Sequence, residues 1–117
     1  TIINSNLAGI VVSGVDGTIS GNIISSNVVG AKGYDSPSAA STPDNITVSG
    51  GTVTSPLYGL RVRNASAIGL AGLTYDGVTF NNPVYIDGSD NITIQNCTYP
   101  SLSQVGSTNI TLTNNNP

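Results

Sequence analysis

The sequence predicts an all-β fold, a right-handed single-stranded parallel β-helix of about five coils, and three observations carry that prediction. Asn, Ser, Thr and Gly supply 56 of the 117 residues, while Lys, Arg and Asp supply 9 and Glu none. That leaves too few long charged side chains to cover the outside of helices. The chain is rich in β-branched residues, with 12 Ile, 11 Val and 13 Thr, which pack well on pleated surfaces. Short phrases then recur roughly every two dozen residues, the mark of a solenoid whose units bury their apolar sides only by stacking.

The first phrase opens the chain. Thr1-Ile2-Ile3-Asn4-Ser5-Asn6-Leu7-Ala8-Gly9-Ile10 lines up with Asn22-Ile23-Ile24-Ser25-Ser26-Asn27-Val28-Val29-Gly30-Ala31, which pairs Ile3 with Ile24. It returns as Thr52-Val53-Thr54-Ser55-Pro56-Leu57-Tyr58-Gly59-Leu60, and more loosely as Thr79-Phe80-Asn81-Asn82-Pro83-Val84-Tyr85-Ile86. A second phrase interleaves with it: Asn45-Ile46-Thr47-Val48, Ala67-Ile68-Gly69-Leu70, Asn91-Ile92-Thr93-Ile94 and Asn109-Ile110-Thr111-Leu112. Each tetrad alternates apolar with Thr or Gly, as a strand with one buried face does. Asn6, Asn27, Asn64, Asn81 and Asn96 read as bends, where Asn tolerates left-handed backbone and stacked amides can bond from coil to coil. Gly14, Gly21, Gly50, Gly72 and Gly88 read as tight corners. The chain is therefore one domain, residues 1–117, with the stretch from Gly33 to Pro43 (GYDSPSAASTP) predicted to leave one coil as an extruded loop.

Charge and missing residue types exclude several functions. The net charge is −3 and the only cations are Lys32, Arg61 and Arg63, so no basic stripe awaits a nucleic acid. No apolar run has the length of a membrane span. The absence of His removes the Ser-His-Asp and Cys-His dyads, and Cys97 alone cannot build a structural zinc site, so it is expected in the core. Neither glycine-rich phosphate loop is present, and no nucleotide cofactor is expected.

Asn45-Ile46-Thr47-Val48-Ser49-Gly50-Gly51-Thr52-Val53, Gly17-Thr18-Ile19-Ser20-Gly21-Asn22-Ile23-Ile24 and Gly9-Ile10-Val11-Val12-Ser13-Gly14 resemble the repeats of the pectin-lyase-like right-handed parallel β-helix superfamily. The resemblance covers nearly the whole chain and is specific for architecture. The superfamily includes polysaccharide lyases, polygalacturonases, mannuronan epimerases, tailspikes and non-catalytic surface proteins, so activity does not follow from it. Members usually have more coils and an N-terminal capping helix, which makes this chain resemble a slice of a longer one.

The phrase alignment sets Ala31, Leu60 and Ile86 inward at one level and Lys32, Arg61 and Asp87 outward beside them. Such a column would hold an amine, a guanidinium and a carboxylate at about 4.8 Å spacing. Lys32, Arg61 and Asp87 are accordingly the candidate catalytic residues, with Tyr34, Tyr58, Arg63 and Tyr85 as candidate substrate-binding residues, Tyr34 and Asp35 being read as part of the extruded loop. Arg can fork a carboxylate, Lys can approach a base's range and Tyr can stack on a pyranose. Lyases of the resembled superfamily use Lys and Arg on one outer face against uronates. The expected function is thus binding, and processing by a lyase, epimerase or hydrolase, of an acidic polysaccharide outside the cell or on a virion. A solvated charge ladder without a substrate explains the same column. The alternative function is a non-catalytic stalk or adhesin module, trimeric or stacked through its uncapped ends, or completed by the rest of a longer chain.

Asp76, Asp87 and Asp90 suggest a hydrolytic carboxylate pair or a Ca²⁺ site, but Asp-Gly and Ser-Asp-Asn are first of all corner sequences. Sequons at Asn45, Asn64, Asn91, Asn96 and Asn109 read mainly as the repeat's own turns. Thr47, Thr93 and Thr111 form a column like a flat ice-binding face, except that Gly69 is expected to interrupt it.

Overall fold

The computed structural model describes residues 1–13, 15–36, 43–63 and 72–116. Among the described residues fourteen strands, all paired in parallel, form three sheets. Sheet A holds β1 (Ile2–Ile3), β4 (Ile23–Ser25), β7 (Thr52–Thr54) and β10 (Thr79–Phe80), in that order, and Thr98 and Asn116 extend it as single bridges. Sheet B holds β2 (Ala8–Val11), β5 (Lys32–Ser36), β8 (Tyr58–Arg63), β11 (Val84–Asp87) and β13 (Leu102–Val105). Sheet C holds β3 (Val15–Ser20), β6 (Asp44–Ser49), β9 (Leu73–Asp76), β12 (Asp90–Gln95) and β14 (Thr108–Thr113). The chain visits A, B and C in turn five times, which is the right-handed parallel β-helix the repeats predict. Among the described residues no helix is long and apolar enough to cross a membrane.

Alternation fills the interior. Sheet A contributes Ile24, Val53 and Phe80; sheet B contributes Tyr34, Leu60, Val62, Val84 and Ile86; sheet C contributes Ile46, Val48, Leu73, Tyr75, Ile92 and Ile94. Tyr34, Tyr75 and Phe80 meet edge-on or tilted at centroid distances of 5.7 to 6.5 Å. Cys97 is buried, as expected, with Sγ 3.2 Å from the Gln95 carbonyl.

Two columns of left-handed residues bracket sheet C. Asp16, Asn45, Gly72, Asn91 and Asn109 precede its inward apolar positions, and Gly21, Gly50, Gly77, Asn96 and Asn114 follow its strands, all at φ between 52° and 67°. Asn and Asp enter this region at the least cost after Gly, which explains the recurring N-I-T. Of the Asn residues read as bends, Asn96 is left-handed, Asn6, Asn27 and Asn81 are not, and Asn64 lies outside the described residues. The inter-coil amide bonds also run largely from Asn to Asp: Asn45 Nδ2 donates to Asp16 at 2.7 Å, Asn96 to Asp76 at 2.9 Å and Asn109 to Asp90 at 2.8 Å. A carboxylate accepts where a second amide would have to be turned.

Four expectations change. Ile2, not Ile3, stacks on Ile24, and Ile3 points outward at 68% exposure. Residues 33–36 are strand rather than loop, while 37–42 lie outside the described residues. The tetrad Ala67–Leu70 also lies outside them, and Leu73-Thr74-Tyr75-Asp76 occupies the rung assigned to it. Finally, Thr74 fills the gap assigned to Gly69, so Thr18, Thr47, Thr74, Thr93 and Thr111 form an unbroken column.

Candidate functional site

In the first three coils the outer face of sheet B starts from a corner occupied by glycine, with Pro83 and Ser101 at the same level in the next two. Gly9, Gly33 and Gly59 stack where sheet A turns into sheet B, and a Cβ on any of them would point inward into Ile24, Val53 or Phe80. The residue after each, Ile10, Tyr34 and Leu60, also joins the core. Alternation then resumes, so Asp35, Arg61 and Arg63 emerge on the outside. The corner places two inward residues in succession, and the register that results differs from the one read by phrase alignment by three residues on β5 and two on β11.

The register sets Val11, Asp35, Arg61, Tyr85 and Ser103 in one column. Lys32 lies opposite Tyr58, and Arg63 opposite Asp87. The predicted Lys32–Arg61–Asp87 column is therefore not formed: Arg61 stands between Asp35 and Tyr85. Tyr34 is corrected as well. It is fully buried in the aromatic cluster and cannot meet a substrate.

Arg61 and Asp35 make a two-pronged ion pair, Nε to Oδ1 and Nη2 to Oδ2, both at 3.0 Å, with side chains only 17% and 8% exposed. This geometry fixes direction as well as charge. Lys32 is buried beside it, and its ammonium reaches the Gly30 carbonyl at 3.4 Å. Burial holds its pKa below the usual lysine value; Arg61 and, more weakly, Arg63 push the same way and Asp35 opposes them. Tyr58 and Tyr85 stack at 5.2 Å with 15° between ring planes. Desolvation raises the Tyr85 phenol, and so do the Asp87 charge and the hydrogen bond to it. The Nε of Arg63 is shielded from solvent and has no hydrogen-bond partner.

Asp35 is the residue of this face whose role the sequence reading missed, because a loop was drawn through it. The other carboxylates are largely spent on corners. Asp16, Asp76 and Asp90 accept from Asn amides, Asp90 also accepts from Thr108 Oγ1 at 2.8 Å, and Asp44 accepts from the Gly72 amide at 3.1 Å. Among the described residues no three His, Cys, Asp or Glu side chains gather as a metal site, and no pocket interrupts the surface. The face thus gathers three cations, the carboxylates of Asp35 and Asp87 and a phenol pair. No protein-family model, curated protein or solved structure matches the chain.

Proposed function

We propose that this β-helix is a carbohydrate-binding module whose sheet B face takes an acidic polysaccharide. One observation carries the reading. Every cation of a chain with net charge −3, namely Lys32, Arg61 and Arg63, is gathered on strands β5 and β8 of one sheet, beside the Tyr58–Tyr85 stack. Gathering like charges is unfavourable unless anions offset it, and the two carboxylates of this face, Asp35 and Asp87, are fewer than its three cations. Phenol faces give the rings of a sugar something to stack on.

Binding is the better-supported half of the expected function. For a lyase, epimerase or hydrolase the working residues would be Lys32, Arg61 and Asp87, but Arg61 is forked to Asp35 and Asp87 faces Tyr85 and Arg63. The repeat phrases and the three-sheet cross-section support kinship with the pectin-lyase-like superfamily, and a polyuronate ligand would place the protein outside the cell or on a virion. Calorimetry with oligogalacturonate and with a neutral oligosaccharide of equal length tests the proposal. Salt-sensitive binding of the acidic chain alone is expected, and absence of binding at low salt would refute it. Unsaturated ends, followed by absorbance, would add lyase activity.

Exposed Ile3, Leu7, Val11, Ile23 and Val29 on the first two coils favour a second reading, a structural stalk whose apolar edge is covered by sister chains or further coils. Light scattering tests it, with a defined oligomer expected and a stable monomer counting against it.

A further inference from the structure

We infer that Asp35 is a resident occupant of the Arg61 fork, so that the carboxylate of a bound uronate chain is received by Arg63. The inference rests on the reading of sheet B as a polyanion face and specifies which guanidinium reads the anion. Both oxygens of Asp35 accept from Arg61, at 3.0 Å each, in the arrangement an incoming carboxylate would need. To enter, a ligand would have to expel a side chain that is only 8% exposed and leave its charge unpaired in a desolvated place. Arg61 is therefore a positioning residue, aligned along β8 between Asp35 and Tyr85.

Arg63 differs in having no such occupant. It lies two residues further along β8, about 7 Å away and on the same outward side. No ion pair among the described residues engages it, and its desolvated Nε lacks an acceptor. Its register neighbour on β11 is Asp87, which makes no ion pair with it. A guanidinium with unspent donors is the natural receptor for a planar carboxylate.

The chain has two arginines, so its side-chain Nε–Hε spectrum has two signals, and loss of one in R63Q assigns both. On titration with oligogalacturonate the Arg63 signal is expected to move while that of Arg61 stays. Movement of Arg61 with Arg63 unchanged would overturn the inference. Calorimetry supplies a second readout: R63Q should bind at least about tenfold more weakly than the parent. An R63Q that binds like the parent would also overturn it with the polyanion reading intact. A parent protein that does not bind removes both.

Discussion

Adding one methyl group at Gly33 should show whether sheets A and B meet as described. The Cβ of Gly33→Ala would lie against Val53 Cγ1 and 2.6 Å from the Gly59 carbonyl oxygen. Val53 is fully buried and β-branched, so it has little freedom to turn away, and the second obstacle is backbone of the next coil. Overpacking of this kind costs about 1–3 kcal/mol, and an obstacle that is backbone places it near the upper end, about 3 kcal/mol. Gly17 provides the matched control. Its added Cβ would meet nothing within 4 Å and its φ is not in the left-handed region, so Gly17→Ala should stabilise by about 0.4–1 kcal/mol through the unfolded chain. In urea, with m near about 2 kcal/mol/M, the midpoint of Gly33→Ala should fall by about 1.5 M and that of Gly17→Ala should rise slightly, with m unchanged in both. Equal midpoints for the two variants, or an unshifted Gly33→Ala, would refute the corner geometry.

Asp35→Ala leaves the Arg61 charge unpaired and should cost about 3–5 kcal/mol, whereas D35N/R61Q, which removes both charges together, should cost far less; denaturant midpoints compare them. Tyr75 is fully buried with an unpartnered hydroxyl, so Tyr75→Phe should raise stability by about 1 kcal/mol in the same assay. Burial raises the Tyr75 phenol well above its ordinary value of 10.0. The unfolded chain therefore releases this proton first, and stability should fall as the pH rises above about 10, less steeply in Tyr75→Phe; parallel slopes would contradict this. The Thr18 to Thr111 column is unbroken, but its neighbours Ser20, Ser49, Asp76, Gln95 and Thr113 are chemically irregular, so thermal hysteresis above that of a control protein is not expected.

The fold was legible because strand alternation and coil repetition are both written in residue type. Sheet C reads almost directly: the left-handed Asn of N-I-T marks where each strand starts, and Ile46, Ile92 and Ile110 fall on one column as read. The exception is instructive. Ala67-Ile68-Gly69-Leu70 and Leu73-Thr74-Tyr75-Asp76 both alternate, and the second forms the rung, with left-handed Gly72 standing where the other coils have Asn or Asp. Sheet B was legible in existence but not in register. Gly33-Tyr34 and Gly59-Leu60 each put two consecutive residues inward, a break in period 2 that a side-chain pattern does not announce. The phrase alignment missed the register by three residues on β5, where Asp35 and not Lys32 meets Arg61, and by two on β11, where Tyr85 and not Asp87 does. The convergence of all three cations survived the error because it depends on sheet membership rather than register.

The most direct measurement is of inter-strand amide and Hα Overhauser contacts on sheet B of the isotope-labelled protein. Contacts running Asp35 to Arg61 to Tyr85, with Arg63 beside Asp87, are predicted, all in the parallel pattern. Contacts linking Lys32, Arg61 and Asp87 as one column, or antiparallel pairing of these strands, would contradict the register on which the binding face depends.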